Sequence, residues 1–175
     1  DYALIITTNS GLWRYVIGDT IQFTQKKPYR FIISGRTKHY INSFGEELMI
    51  HNAELALQQA CSSYNTELVE FTAAPKQIYK AHKGCHEWLI EFEAPPNDLE
   101  LFAKTIDKEL QNQNSYYYDL IQGKVLHPLK ISLVKQGGFK GYMKTIGKLG
   151  GQNKTPRLSN DRKIASYFHS KSLIK

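Results

Sequence analysis

The sequence has few cysteines, no long apolar run and no histidine pattern suited to a metal site. Its only cysteines, Cys61 and Cys85, are scattered, which excludes a disulfide-rich secreted domain and favours a reducing compartment. No apolar run approaches the ~20 residues of a membrane-spanning helix, and no secretory leader is visible. The six histidines lack zinc-site spacing. We therefore expect a cytoplasmic protein with no metal bound by its own residues.

Composition is typical of a folded domain, but the charge is uneven. Of 175 residues, 41% are hydrophobic and 22% are charged, with a net charge of +7. From Ile121 to Lys175 there are twelve Lys and Arg and one acidic residue, a net charge of +11 for that segment. Such a segment attracts phosphate groups. It could form a solvated face or a partner-binding surface, or it could bind a nucleotide or a nucleic acid.

The pattern of apolar residues predicts a β-rich start followed by a mixed region. Near the start, three apolar runs predict strands at 4–8, 13–23 and 29–33. A strand under way at residue 2 leads us to expect natural sequence before it. Farther on, helical spacing predicts helices at 46–64, after Asn97 or Asp98, at 116–118, at 139–149 and after Asn160 or Asp161. Further strands are predicted at 67–73, ending at Pro75, at 87–93 and at 129–134.

This order of elements predicts an α+β fold in which helices flank one small mixed β-sheet. The best candidate boundary lies at Gly35-Arg36-Thr37-Lys38, between the β-rich start and the mixed remainder. We therefore predict two units, residues 1–36 and 37–175.

Three short polar clusters could carry chemistry. Asp19 follows Gly18 within an apolar strand, where an acidic side chain is unfavourable. It is either a bulge or turn residue or a ribose ligand, because a carboxylate can accept both ribose hydroxyls. Gly35-Arg36-Thr37-Lys38 follows a predicted strand. It is either a functional cluster or a solvated basic turn. Gly150 to Arg157 is a polar loop with two cations, which could be a plain surface loop or a mobile phosphate-binding loop. No phosphate loop of the Walker type is present.

The order and spacing of these clusters resemble the auxin-responsive (Gretchen Hagen-type) acyl acid–amido synthetase family, in its bacterial branch. That family belongs to the adenylate-forming superfamily of acyl-CoA synthetases, peptide synthetase adenylation domains and luciferases. The matching residues are Gly11-Leu12-Trp13-Arg14-Tyr15, Gly18-Asp19, Pro28, Phe31, Gly35-Arg36, Asn42 to Leu48, Glu54 and Gln152-Asn153-Lys154 with Pro156-Arg157.

The resemblance implies a large N-terminal domain and a small C-terminal lid domain. Residues 1–36 would be the β-rich end of the large domain, and residues 37–175 the lid. Asp19 and Arg36 match the nucleotide-binding residues, and Lys38 lies at the hinge. Gly45 falls in the loop that approaches the active site in the second half-reaction. Lys154 matches the catalytic lid lysine, which meets the α-phosphate of ATP.

The implied reaction has two steps. A carboxylic acid attacks ATP to give an acyl-adenylate, and an amine, expected to be an amino acid, then takes the acyl group to form an amide. ATP and Mg²⁺ would be bound mainly by the N-terminal domain, which is the expected protein partner. One alternative keeps the fold but makes a thioester or a free adenylate. Another alternative is a basic nucleic-acid-binding module, but the scattered aromatic residues of the basic segment form no stacking platform. We therefore expect no specific nucleic acid as a partner. Because no apolar run is long enough to span a membrane, we also expect no membrane partner.

Overall fold

The first structural unit is an antiparallel three-stranded sheet. The computed structural model describes residues 2–36, 40–78, 83–150 and 153–175. Strands β1 (Tyr2–Ile6), β2 (Tyr15–Lys26) and β3 (Tyr29–Arg36) pair in the order β1-β2-β3. The predicted β-rich start is confirmed. Many large apolar side chains of this sheet are exposed: Tyr2, Ile5, Tyr15, Val16, Ile32 and Ile33.

A short hairpin and a helix follow. Strands β4 (Tyr40–Ile41) and β5 (Leu48–Met49) pair antiparallel, and helix α1 runs from Ile50 to Tyr64. The helix predicted from residue 46 is therefore wrong in its first turn. Gly45 and Glu47 have φ angles of 99° and 45°, a left-handed conformation that turns the chain into the hairpin instead of the helix.

The second sheet is the predicted small mixed sheet. Its strands are β6 (Leu68–Ile78), β7 (Lys83–Phe92) and β8 (Leu126–Leu133), with β6 antiparallel and β8 parallel to β7. The prediction that the first of these strands ends at Pro75 is wrong, because Pro75 pairs in register with His86. Strand β6 lies at the edge of the sheet, where a residue without an N–H is tolerated.

Four further helices lie against this sheet: α2 (Leu99–Gln113), α3 (Ser115–Gln122), α4 (Gly138–Thr145) and α5 (Lys163–Ser170). The predicted cap is confirmed at Asp98, whose carboxylate accepts the N–H of Leu101 at 2.8 Å. The helix predicted to reach residue 149 ends earlier, at Thr145. At α5 the cap is Arg162, although Asp161 still accepts the N–H of Lys163 at 3.0 Å.

The sheet is buried on both faces, so the fold is a three-layer sandwich. Alternate residues of β7 point to opposite sides. Trp88 and Ile90 enter the larger core with α1, α2 and α3, whereas Leu89 enters a smaller core with α4 and α5. Each buried side chain of this size stabilises the fold by about 1.5–3 kcal/mol. Within the described ranges, no helix combines the length and apolar character needed to cross a membrane.

Candidate functional site

Asp19 and Arg36 occupy opposite positions on neighbouring strands. The β2–β3 ladder makes them Cα partners, one pair before a register shift at Thr20/Ile21. Gly18, with a φ of 89°, adopts a conformation that favours glycine and sets the direction of the chain entering Asp19. Asp19 is half-buried and lies within a strand rather than in a turn. The register thus brings the two predicted nucleotide-binding positions together. Lys38, the predicted hinge, lies outside the described residues.

Gly45 lies in the loop between β4 and β5, residues 42–47, which we call the Gly45 loop. A buried carboxylate holds the backbone of this loop. The Glu46 side chain accepts the N–H of Ser43 at 3.3 Å and that of Phe44 at 2.7 Å. Its Oε1 also lies 2.8 Å from Nε2 of His86, and both side chains are fully buried. The loop is therefore anchored to β7 through Glu46 and His86.

The environment of Glu46 keeps it ionised. Burial raises the pKa of its carboxyl, but the hydrogen bond from His86 and those from the loop amides outweigh burial and hold the pKa below its usual value. Because the carboxylate only accepts, Nε2 of His86 carries the proton in this contact.

A second contact joins the Gly45 loop to the segment that follows Lys154. Asn160 Oδ1 accepts the N–H of Asn42 at 2.8 Å and the hydroxyl of Ser43 at 3.2 Å, and its Nδ2 donates to the Tyr40 carbonyl at 2.9 Å. Two segments far apart in the sequence are therefore brought together in the fold. Nothing in the sequence marked Asn160 for this role.

Lys154 is exposed and is immediately followed by a segment docked on β6. We call residues 155–159 the docked segment. Thr155 and Leu158 are buried, and Leu158 forms a parallel bridge with Ala73. In the described part of the chain, the Lys154 side chain has no hydrogen-bond or ion-pair partner. A compact ammonium of this kind can approach a bound phosphate.

Arg157 does not act as a free phosphate-binding cation. Its Nε donates to Glu70 at 3.0 Å and its Nη1 to Glu54 at 2.5 Å. Burial lowers the pKa of this guanidinium, but the two carboxylates outweigh burial and raise it. Arg157, one of the two cations of the predicted polar loop, is therefore paired with carboxylates of this chain.

The other face of the sheet carries a buried carboxylate that the sequence analysis missed. Glu87, only 1% exposed, accepts hydrogen bonds from Arg162, from Ser132 at 2.8 Å and from His169 at 2.9 Å. Burial raises its pKa, but these donors, with Arg162 the strongest, lower it to about 2. Its signal in the sequence was an acidic residue within an apolar strand. Because its partners come from distant segments, we assign it a structural role.

Among the residues that the structure describes, potential metal ligands do not cluster. Across the described ranges, no group of three or more His, Cys, Asp or Glu side chains is placed to hold a metal ion. Both cysteines are free, and burial raises the pKa of the Cys85 thiol, which disfavours the reactive thiolate.

Comparison with known proteins gives matches along the chain. The model of the GH3 family C-terminal domain matches residues 51–163, and that of the GH3 family central domain matches residues 1–36. The chain is 28% identical to indole-3-acetic acid-amido synthetase GH3.6 of Arabidopsis thaliana, covering 98% of this chain and 31% of that protein. It is 30% identical to the putative indole-3-acetic acid-amido synthetase GH3.9 of the same plant, covering 95% of this chain and 31% of the relative.

Solved structures share the fold. The GH3.15 acyl acid amido synthetase superposes with a TM-score of 0.77 at 23% identity, covering 99% of this chain and 34% of that one. The AtGH3.15 acyl acid amido synthetase in complex with 2,4-DB gives a TM-score of 0.73 at 20% identity, with 99% and 32% covered. The chain thus spans about a third of the length of the proteins it matches.

Proposed function

This chain belongs to the GH3 family, and from that premise we propose that it is the C-terminal part of an ATP-dependent ligase. The enzyme activates a carboxylic acid as an acyl-adenylate and transfers the acyl group to the amine of an amino acid. The observation that carries this proposal is the run of family matches over residues 1–36 and 51–163. The β2–β3 register, which sets Asp19 opposite Arg36, supports it.

We assign each predicted site residue a role in this reaction. Asp19 accepts the ribose hydroxyls of ATP, and Arg36 contacts ribose or phosphate. Lys38 is the hinge between the two units. Gly45 belongs to the loop used in the second half-reaction. Lys154 stabilises the negative charge that builds on the α-phosphate during adenylation, a contribution that is large where water is excluded.

We propose that the Mg²⁺ that accompanies ATP is bound mainly by the N-terminal part of the protein, and we assign no residue of this chain to the metal. We also place the acyl pocket and the phosphate loop in the preceding part of the protein, which is the proposed partner of this unit. Reducing conditions suit the two free cysteines, and we propose a cytoplasmic location.

Amide formation is favoured over the thioester alternative by the names of the relatives, which are amido synthetases. The nucleic-acid alternative is weakened by the ion pairs of the basic segment. Arg157, Arg162 and Lys163 each contact a carboxylate of this chain, and a cation already paired contributes less to phosphate binding. The assignment to the bacterial branch stays a prediction.

Pyrophosphate exchange and product analysis test the proposal. The full-length protein should exchange radiolabelled pyrophosphate into ATP only when a suitable carboxylic acid is present. When an amino acid is added, mass spectrometry should find the amide. This chain alone should catalyse no exchange, because the phosphate loop lies elsewhere. Exchange by the isolated chain, or a full-length protein that makes no adenylate with any acid in a broad panel, would overturn the proposal.

A further inference from the structure

We propose that Arg157 is a positioning residue for Lys154, and this inference rests on the proposed function. Arg157 lies three residues after Lys154 in the docked segment. We infer that its contacts fix the backbone from which the lysine reaches the α-phosphate. Arg157 itself touches no substrate in this proposal.

The guanidinium joins the docked segment to two other elements. Its Nε contacts Glu70 on β6, and its Nη1 contacts Glu54 on α1. The rigid fork of Arg allows both contacts at once, which a Lys ammonium cannot reproduce with the same geometry. The side chains of Arg157 and Glu70 are 38% and 22% exposed, so this pair is screened less than a fully exposed one, whereas Glu54 is 47% exposed.

Packing restrains the guanidinium in a second direction. Its central carbon lies 5.2 Å from the ring centroid of Phe71, within the range of a cation–π contact. Phe71 in turn stacks on Trp88, with centroids 5.6 Å apart and planes inclined by 8°. Both rings are fully buried. Arg157 therefore rests on a pair of stacked, fully buried aromatic rings.

Backbone hydrogen bonds complete the attachment. The Arg157 carbonyl accepts the N–H of Ala73 at 2.8 Å, and Ser159 donates its N–H to the Ala73 carbonyl at 3.1 Å. The Thr72 hydroxyl donates to the Pro156 carbonyl at 2.7 Å. These bonds fix the docked segment in register on β6.

Lys154 depends on this attachment for its position. Its own side chain has no partner in the described part of the chain, and three residues span at most about 11 Å of backbone. A shift of the docked segment therefore carries over to Lys154. A displacement of about 1 Å at a catalytic group can cost about 10²-fold in rate.

A double-mutant cycle in the full-length protein distinguishes the positioning role of Arg157 from a purely structural role. Arg157→Lys keeps the charge but loses the fork, so adenylation kcat should fall about 10- to 100-fold with little change in the KM for ATP. The second half-reaction, assayed with synthetic acyl-adenylate and amine, should be unchanged. Because Arg157 acts through Lys154, the double variant with Lys154→Ala should be no slower than Lys154→Ala alone.

Two further variants keep the test decisive. Glu54→Gln removes the charge of one partner of Arg157 and leaves the sequence of the docked segment unchanged. It should lower adenylation in the same selective way, although less. It replaces Arg157→Lys if that variant does not fold. Arg162→Lys is the matched control, because Arg162 also contacts a carboxylate, Glu87. This variant should have a lower Tm, but its adenylation rate should not fall selectively relative to the second half-reaction.

The outcomes divide as follows. A selective loss with a non-additive cycle supports the positioning role. If Lys154→Ala slows adenylation but Arg157→Lys and Glu54→Gln do not, or if the cycle is additive, the positioning role is overturned and the proposed function stands. If Lys154→Ala itself has no effect on adenylation, both the lysine's assigned role and the positioning role are overturned.

Discussion

Asp19 and Arg36 face each other across the β2–β3 ladder as Cα partners. They are 17 residues apart in the sequence, and it is the hairpin register that places them side by side. In the proposed function, Asp19 accepts the ribose hydroxyls of ATP and Arg36 contacts ribose or phosphate. A one-residue slip of this register would send one side chain to the other face of the sheet.

Asp19→Ala in the full-length protein should weaken ATP binding about 10- to 100-fold. Hydrogen bonds to a charged acceptor contribute roughly 1.5–3 kcal/mol, and the strand can accommodate alanine without refolding. Calorimetric titration with ATP measures the affinity, and Gln22→Ala on the same strand is the control. A lower Tm with unchanged ATP affinity would instead identify Asp19 as a structural residue.

Gly84→Ala should destabilise the protein by about 1–3 kcal/mol, a typical cost of overpacking. A Cβ at Gly84 would lie 2.1 Å from the Phe44 ring, so either β7 or the Gly45 loop must shift. Gly141→Ala is the control, because a Cβ there meets nothing within 4 Å and alanine favours the helix. Urea unfolding measures both variants, and equal stability of the two would contradict the packing of Phe44 on β7.

Glu87→Gln should remove a pH-dependent part of the stability. The folded pKa of Glu87 is about 2, against an ordinary value of 4.5. Its contribution is therefore fully present above about pH 4.5 and is lost as the pH falls toward 2. At neutral pH the variant should lose about 1.5–3 kcal/mol.

Urea unfolding at a series of pH values tests this assignment. Between pH 4.5 and 2, the unfolding free energy of Glu87→Gln should fall less steeply than that of the wild type. Glu100→Gln is the control, because Glu100 is an exposed partner of Lys104 and should change little. Parallel pH profiles for the wild type and Glu87→Gln would show that this carboxylate does not contribute as described.

Much of the fold could be predicted because local patterns and tertiary structure agree. The helix that begins after Asp98 has a capping side chain and a regular apolar face, and both are confirmed. The predicted start of α1 is wrong because the chain is left-handed at Glu47. That conformation depends on Glu46 and its contacts rather than on helix propensity. Pro75 was misinterpreted because the edge position of β6 is a property of the sheet, not of the local sequence.

The candidate site was predictable only as a set of positions. The resemblance to the family indicated Asp19, Arg36 and Lys154, and their roles stay predictions. The partners of Arg157 could not be inferred, since Glu54 is 103 residues away in the sequence and reaches it only through packing of α1 beside β6. The same holds for Glu87, whose donors come from β8 and from the C-terminal segment.

The most direct test of this account is Lys154→Ala in the full-length protein, with the two half-reactions measured separately. If Lys154 stabilises charge on the α-phosphate during adenylation, kcat for that step should fall about 10²–10³-fold, while ATP affinity changes far less. The second half-reaction, started from preformed acyl-adenylate and amine, should largely survive. An equal loss in both half-reactions, or no loss in either, would contradict the role assigned to Lys154 and with it the account of this domain as the catalytic lid.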